Sequence, residues 1–175
     1  MYKQYHNNGF LLYEINYINN LIQGIHKQYY SNGNIKEEVN YIDGKKNGIC
    51  KLYQENGWDL WKEVNYIDGL MDGVYKTYWS NGQLWLEDNY ILGKKNGICK
   101  SYRENGQLSG EVNYIDGLRQ GIYKSYHSNG QLSEEENYID DKKNGVYKQY
   151  WLNGILYREV NSVDNIQNGT VKCLI

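Results

Sequence analysis

The chain has 175 residues, a formal net charge of −2, 20 tyrosines and 19 glycines, and neither proline nor alanine. That length fits about one domain, and a Tyr-, Asn- and Ile-rich chain without the best helix former excludes an ordinary helix-containing enzyme fold. With 19 basic residues against 21 acidic ones, bulk attraction to nucleic acid or anionic lipid is not implied.

Residues 1–20 show no basic start followed by an apolar run, and no stretch approaches 18 apolar residues, so neither a signal peptide nor a membrane span is read. A soluble, cytoplasmic protein is the expectation. Cys50, Cys99 and Cys173 lack the short spacings of a zinc site or a disulfide framework and read as reduced thiols.

Repeats organise the chain. Asn-Gly pairs end at Gly9, Gly33, Gly57, Gly82, Gly106, Gly130 and Gly154, and a second series runs Gly24, Gly48, Gly73, Gly97, Gly121, Gly145, Gly169. Both step by 24 with a single 25, giving seven units of G-[IV]-x-K-x-Y-x-x-N-G-x-L-x-x-E-V-N-Y-I-D-G-x-x-x and one domain over 1–175.

Each unit holds two alternating stretches separated by turn signals, the grammar of a β-hairpin. A two-residue type I′ turn on Asn-Gly predicts, along the chain, pairs of Lys3 with Glu14, Lys27 with Glu38, Lys76 with Glu87, Lys100 with Glu111, Lys124 with Glu135, and Lys148 with Glu159. Lys51 misses Glu63 by one residue, in the unit with the insertion, which predicts a β-bulge between Trp58 and Val64. A second turn centred on Gly44-Lys45 brings Glu38 opposite Lys51 and places Tyr41 over Gly48, and likewise Tyr17 over Gly24 and Tyr138 over Gly145.

The fold expected is all-β: a single elongated, twisted antiparallel sheet of tandem 24-residue hairpins, about fifteen strands spanning roughly 70 Å at about 4.8 Å per strand. One face carries Leu132, Val112, Tyr138, Tyr123 and Trp79 types. The other carries the Ile, Lys, Tyr, Glu and Asn series, with cross-strand ion pairs.

Catalytic chemistry is not legible, and no cofactor or metal is expected. His6 and His127 share a repeat position about 48 Å apart by strand spacing, too far to ligate one metal. Cys50 and Cys99 are about 19 Å apart by the same spacing, beyond disulfide reach. In the run Glu134, Glu135, Glu136, alternation separates the middle carboxylate from its neighbours. IDGKKNG lacks the phosphate-loop pattern.

The second turn alternates between lysine pairs (Lys45 with Lys46, Lys94 with Lys95, Lys142 with Lys143) and apolar tips (Leu21 with Ile22, Leu70 with Met71, Leu118, and Ile166). A partner-facing rim built from these tips is one candidate site. The other is an aromatic face including Tyr75, Trp79, Tyr123, Tyr147 and Trp151.

The consensus unit resembles the variant class of MORN repeat over the whole chain. The resemblance implies stacked antiparallel hairpins serving as a non-enzymatic scaffold or protein-binding module, including a role as an antitoxin or immunity-type protein. The Trp and Tyr content supports an alternative, an aromatic-rich module for cell-wall, carbohydrate or lipid headgroup ligands. The expected partner is a protein, with neither nucleic acid nor membrane implied. The terminal strand, residues 170–175, is an edge expected to mediate end-to-end self-association.

Overall fold

A computed structural model describes the backbone of residues 1–173 and the side chains of residues 1–168. Among the described residues there is no helix. Fifteen strands of four to nine residues, together with six two-residue strands, make up the secondary structure, and 19 of these segments form an open antiparallel sheet. The fold divides into two compact units, residues 1–83 with 90–93, and residues 84–89 with 94–175. The side chains of the 170–175 edge lie outside the described residues.

In the first unit one column of facing residues runs Lys3, Glu14, Lys27, Glu38, Lys51, Glu63, Lys76. In the second it runs Glu87, Lys100, Glu111, Lys124, Glu135, Lys148, Glu159. The ammonium of Lys27 lies 3.1 Å from the Glu38 carboxylate, and that of Lys3 lies 3.6 Å from Glu14. The phenols of Tyr29 and Tyr126 add donors to Glu14 and Glu111 at 2.8 and 2.9 Å.

This register arises from different turns than the sequence suggests. In the sixth hairpin Gly130 N–H donates to His127 O at 3.0 Å and His127 N–H to Gln131 O at 2.8 Å. Gly130 has φ +84° while Asn129 is not left-handed, which identifies a three-residue loop with a left-handed glycine and not a type I′ turn. That loop pairs Tyr126 with Leu132, one step out, and a bulge at Ser133 restores Ser125 to Glu134 and Lys124 to Glu135. The two offsets cancel.

The third hairpin has the same bulge, with Tyr53 opposite Leu60 and Leu52 opposite Lys62, and Lys51 faces Glu63 after all. A bulge does fall between Trp58 and Val64, but it is the one common to these hairpins. The extra residue is taken up by the loop, which Gln54 N–H closes on Asp59 O at 2.8 Å.

The type I′ turn is the second one. Asp43 and Gly44 have φ 49° and 79°, with Ile42 opposite Lys45 and Tyr41 opposite Lys46, so the turn is centred one residue before Gly44-Lys45. Asn47 and Gly48 are then bulged out before Glu38 meets Lys51. Asn40 holds this bulge from both sides: its carbonyl accepts from Asn47 N–H at 2.9 Å and its side-chain amide donates to Asn47 O at 3.2 Å.

Tyr41 therefore faces Gly24, and Gly48 faces Tyr66, each tyrosine one hairpin away from the expected glycine. No ring covers Gly24 or Gly48, since a Cβ on either would meet nothing within 4 Å.

Both series of turns are stitched to their neighbours. Gly44 N–H donates to Ile22 O at 2.9 Å and Gly117 N–H to Lys95 O at 2.8 Å. Asn32 and Asn129 side-chain amides reach the next loop at Glu55 O and Leu152 O, at 2.9 and 2.6 Å.

The driest part of the first unit is Val39, Cys50 and Val64, with Tyr41, Leu52, Tyr66, Met71 and Tyr75 packed around them. Val64→Ala is expected to destabilise the fold by about 2 kcal/mol, from two buried methyls and the space they leave. Gly48→Ala, at φ +92°, is expected to cost about 1 to 2 kcal/mol. Urea unfolding midpoints check both, and an unchanged midpoint for Gly48→Ala refutes the left-handed bulge.

Candidate functional site

Strand alternation gives the sheet two chemically different faces. On the face of the charge column the repeats are almost identical: every hairpin carries Lys, Glu, Asn and Tyr at the positions of Lys27, Glu38, Asn40 and Tyr29. On the opposite face a tyrosine recurs at the position of Tyr41, but two other positions differ. The position of Glu37 is occupied by Tyr13, Glu37, Lys62, Leu86, Gly110, Glu134 and Arg158, and that of Cys50 by His26, Cys50, Tyr75, Cys99, Tyr123 and Tyr147.

The varied face contains buried and half-buried polar clusters. Glu37 takes the Lys46 ammonium at 2.7 Å and the Cys50 thiol at 3.2 Å. Burial raises the Glu37 carboxyl, but the Lys46 and Cys50 hydrogen bonds outweigh it and hold it below the usual carboxylate range. Burial, reinforced by the carboxylate, pushes the Cys50 thiol up to about 12, and burial with the Asp88 hydrogen bond does the same for Cys99. Lys95 lies 2.7 Å from Asp88, and Lys143 lies 2.9 Å from Glu136, which also accepts from the Tyr138 phenol at 2.7 Å. Several cations also stand over rings: Lys46 over Tyr66, Lys95 over Tyr114, and Arg119 over Tyr138 at 4.1 Å.

The lysine pairs are thus split by the strand that follows each type I′ turn. Lys45 and Lys94 are exposed at the rim, as is Lys142, which lies 3.6 Å from Asp164. Lys46, Lys95 and Lys143 instead reach carboxylates on the varied face. Leu21, Leu70 and Leu118 are 43 to 48% exposed at the tips, while Ile22 and Met71 are half-buried. Leu21 and Leu70 also lie over the glycine of the next turn, Gly44 and Gly93.

Of the aromatic candidates, Tyr75, Tyr123 and Tyr147 share one repeat position, facing Val64, Glu136 and Val160. Trp79 and Trp151 lie outside it, as the first residues of Asn-Gly loops that they close with Gln83 and Ile155. Trp151 stacks on Tyr157 with ring centroids 4.2 Å apart.

Sequence reading missed Glu37, Asp88 and Glu136 as partners of the inner lysines. Glu37 stands at a different repeat position from the other two, so no recurring motif marks them. In the second unit, Gly110 borders a hollow of about 140 Å³ lined by Asp88, Lys95, Cys99, Ser101 and Tyr123. Among the described residues no group of three His, Cys, Asp or Glu side chains could hold a metal ion, and no helix is long and apolar enough to cross a membrane. The arrangement offers a rigid surface of differing polar, charged and aromatic groups, with its thiols held in the unreactive form.

Native Cys50 and Cys99 are expected to react with iodoacetamide at pH 8 at least about 100-fold more slowly than a free thiol. Mass spectrometry of alkylated peptides checks this, and labelling at the unfolded rate refutes it. His26 sits between Tyr13 and Tyr41 with an unpartnered Nδ1, and burial lowers its pKa from 6.5. The unfolded chain then binds the proton more readily, so this contribution is full above about pH 6.5 and is lost as pH falls below it. Urea titrations from pH 7.5 to 5.5 are expected to show a shallower decline for His26→Phe. Equal slopes refute the assignment.

No curated protein matches the chain. The MORN repeat variant family matches residues 22–43, 71–91, 95–116, 119–140 and 143–164, more than half of the chain, and leaves out the hairpin carrying the extra residue. With its tandem hairpins and matched segments, the chain belongs to the MORN repeat variant family.

Proposed function

We propose that this chain is a non-catalytic protein-binding module that recognises a single partner through its varied face, in the manner of a scaffold or of an antitoxin holding its target. The observation that supports this is the contrast between faces. Positions that make the sheet recur from hairpin to hairpin, whereas one repeat position carries Glu37, Lys62, Leu86, Gly110 and Arg158, with glutamate returning only at Glu134. A surface needed only for stacking would be served by one repeated side chain. A non-repeating row of charge, ring and gap provides an address that one partner surface can complement.

The test is affinity capture from the producing cells, followed by titration of the purified complex. The wild-type chain is expected to form a stable one-to-one complex. Lys62→Glu and Arg158→Glu are expected to weaken it at least tenfold without lowering the melting temperature, while Ile122→Ser on the uniform face leaves it unchanged. If Leu70→Ser, Met71→Ser and Leu118→Ser together abolish binding and the charge reversals do not, the rim is the site and the varied face is not. Failure to capture a stoichiometric partner refutes the reading.

A further inference from the structure

The loop that breaks the repeat also carries the most exposed large apolar side chain among the described residues. The third Asn-Gly loop, residues 54–59, is one residue longer than the others, and its Trp58 is 86% exposed. In three other loops the residue after Asn-Gly lies over the next loop, Phe10 on Gly33, Asn34 on Gly57 and Gln131 on Gly154, whereas Gln107 leaves Gly130 uncovered. Trp58 does not cover its neighbour either, and a Cβ on Gly82 would meet nothing within 4 Å. The asparagine is diverted as well. Asn8, Asn32 and Asn129 donate to the carbonyl of the following loop, whereas Asn56 turns back onto Asp59 Oδ2 at 2.6 Å, as Asn105 does onto Gln107 Oε1 at 2.9 Å.

The loop accepts from Asn32 and Asn34 at Glu55 O, yet it leaves its own indole in water. In tandem-repeat proteins, insertions map to loops, often on the binding face. The chemistry of the loop indicates what it binds. Residues 54–59 carry Glu55 and Asp59 and no cation, and among the described residues neither carboxylate is in an ion pair. The lysines of the flanking strands are placed elsewhere, Lys51 in the charge column and Lys62 over Tyr75. Tryptophan is the best ring for a cation, and Trp and Arg are the residues most enriched at the energetic centres of interfaces.

We propose that the third Asn-Gly loop is an anchor for a basic segment of the protein partner, an Arg or Lys side chain of that segment lying on the Trp58 indole between the Glu55 and Asp59 carboxylates. This rests on the protein-binding reading above and adds to it a named anchor and the charge of the segment it holds.

The test uses the full chain and two capped peptides, Arg-Gly-Arg-Gly-Arg and Glu-Gly-Glu-Gly-Glu, followed by the ¹H–¹⁵N signals of the indole and loop amides. The Trp58 indole signal is identified by its loss in Trp58→Phe. The basic peptide is expected to move that signal saturably, and more weakly at high salt, while the acidic peptide leaves it in place. Trp58→Leu is expected to lower affinity at least fivefold and Glu55→Gln with Asp59→Asn at least threefold, with unchanged melting temperatures. A Trp58 signal that does not move, or undiminished affinity in the Trp58→Leu chain, overturns the proposal. Because the titration needs no native partner, it fails separately from the capture experiment.

Discussion

In each unit a column of alternating lysine and glutamate sets where everything else in that unit can be. Each cross-strand pair contributes only about 0.2 to 1 kcal/mol, yet every hairpin repeats it, and Tyr29 and Tyr126 anchor their phenols to the same carboxylates. Slipping any strand by one residue would carry its lysine or glutamate to the other face and bring Val39 or Val64 out into water. With register held on one face, two positions on the other are free to change from hairpin to hairpin. The contrast between faces is thus a consequence of where the pinning charges are placed.

The column was legible in the sequence because it depends on the sum of two irregularities. The Asn-Gly loop and the bulge at Ser133 displace pairing by equal and opposite amounts, so arithmetic from a simpler turn reaches the right partners. The turn types themselves were not legible. Asn-Gly is a strong local signal for a type I′ turn, but only the glycine is left-handed, at Gly130 as at Gly106. The bulge at Asn47 and Gly48 was equally hidden, and with it the true partner of each tyrosine.

The candidate site shows how one residue of turn placement propagates. With the turn centred on Gly44-Lys45, both lysines of the pair belong to a rim. With it on Asp43-Gly44, Lys46 enters a strand opposite Tyr41 and reaches Glu37 on the varied face. The rim thereby loses half its expected charge, and the varied face gains cations that are neutralised and laid over rings. What sequence reading captured was the alternation of lysine pairs and apolar tips at these turns. What it lacked was the direction in which the second lysine points.

The stitching of loops and turns has an evolutionary corollary. Contacts such as Asn129 to Leu152 and Gly117 to Lys95 reach only the adjoining hairpin, so a block of 24 residues is a self-contained cassette. Copying or excising a cassette leaves both junctions chemically ordinary and changes only how many variable positions the surface offers. A one-residue insertion within a strand would invert the sidedness of that strand. Such insertions are tolerated where the backbone is already irregular, and the loop carrying Trp58 records one. Drift in length is therefore channelled to the loop margin, while new surface area is acquired by duplication.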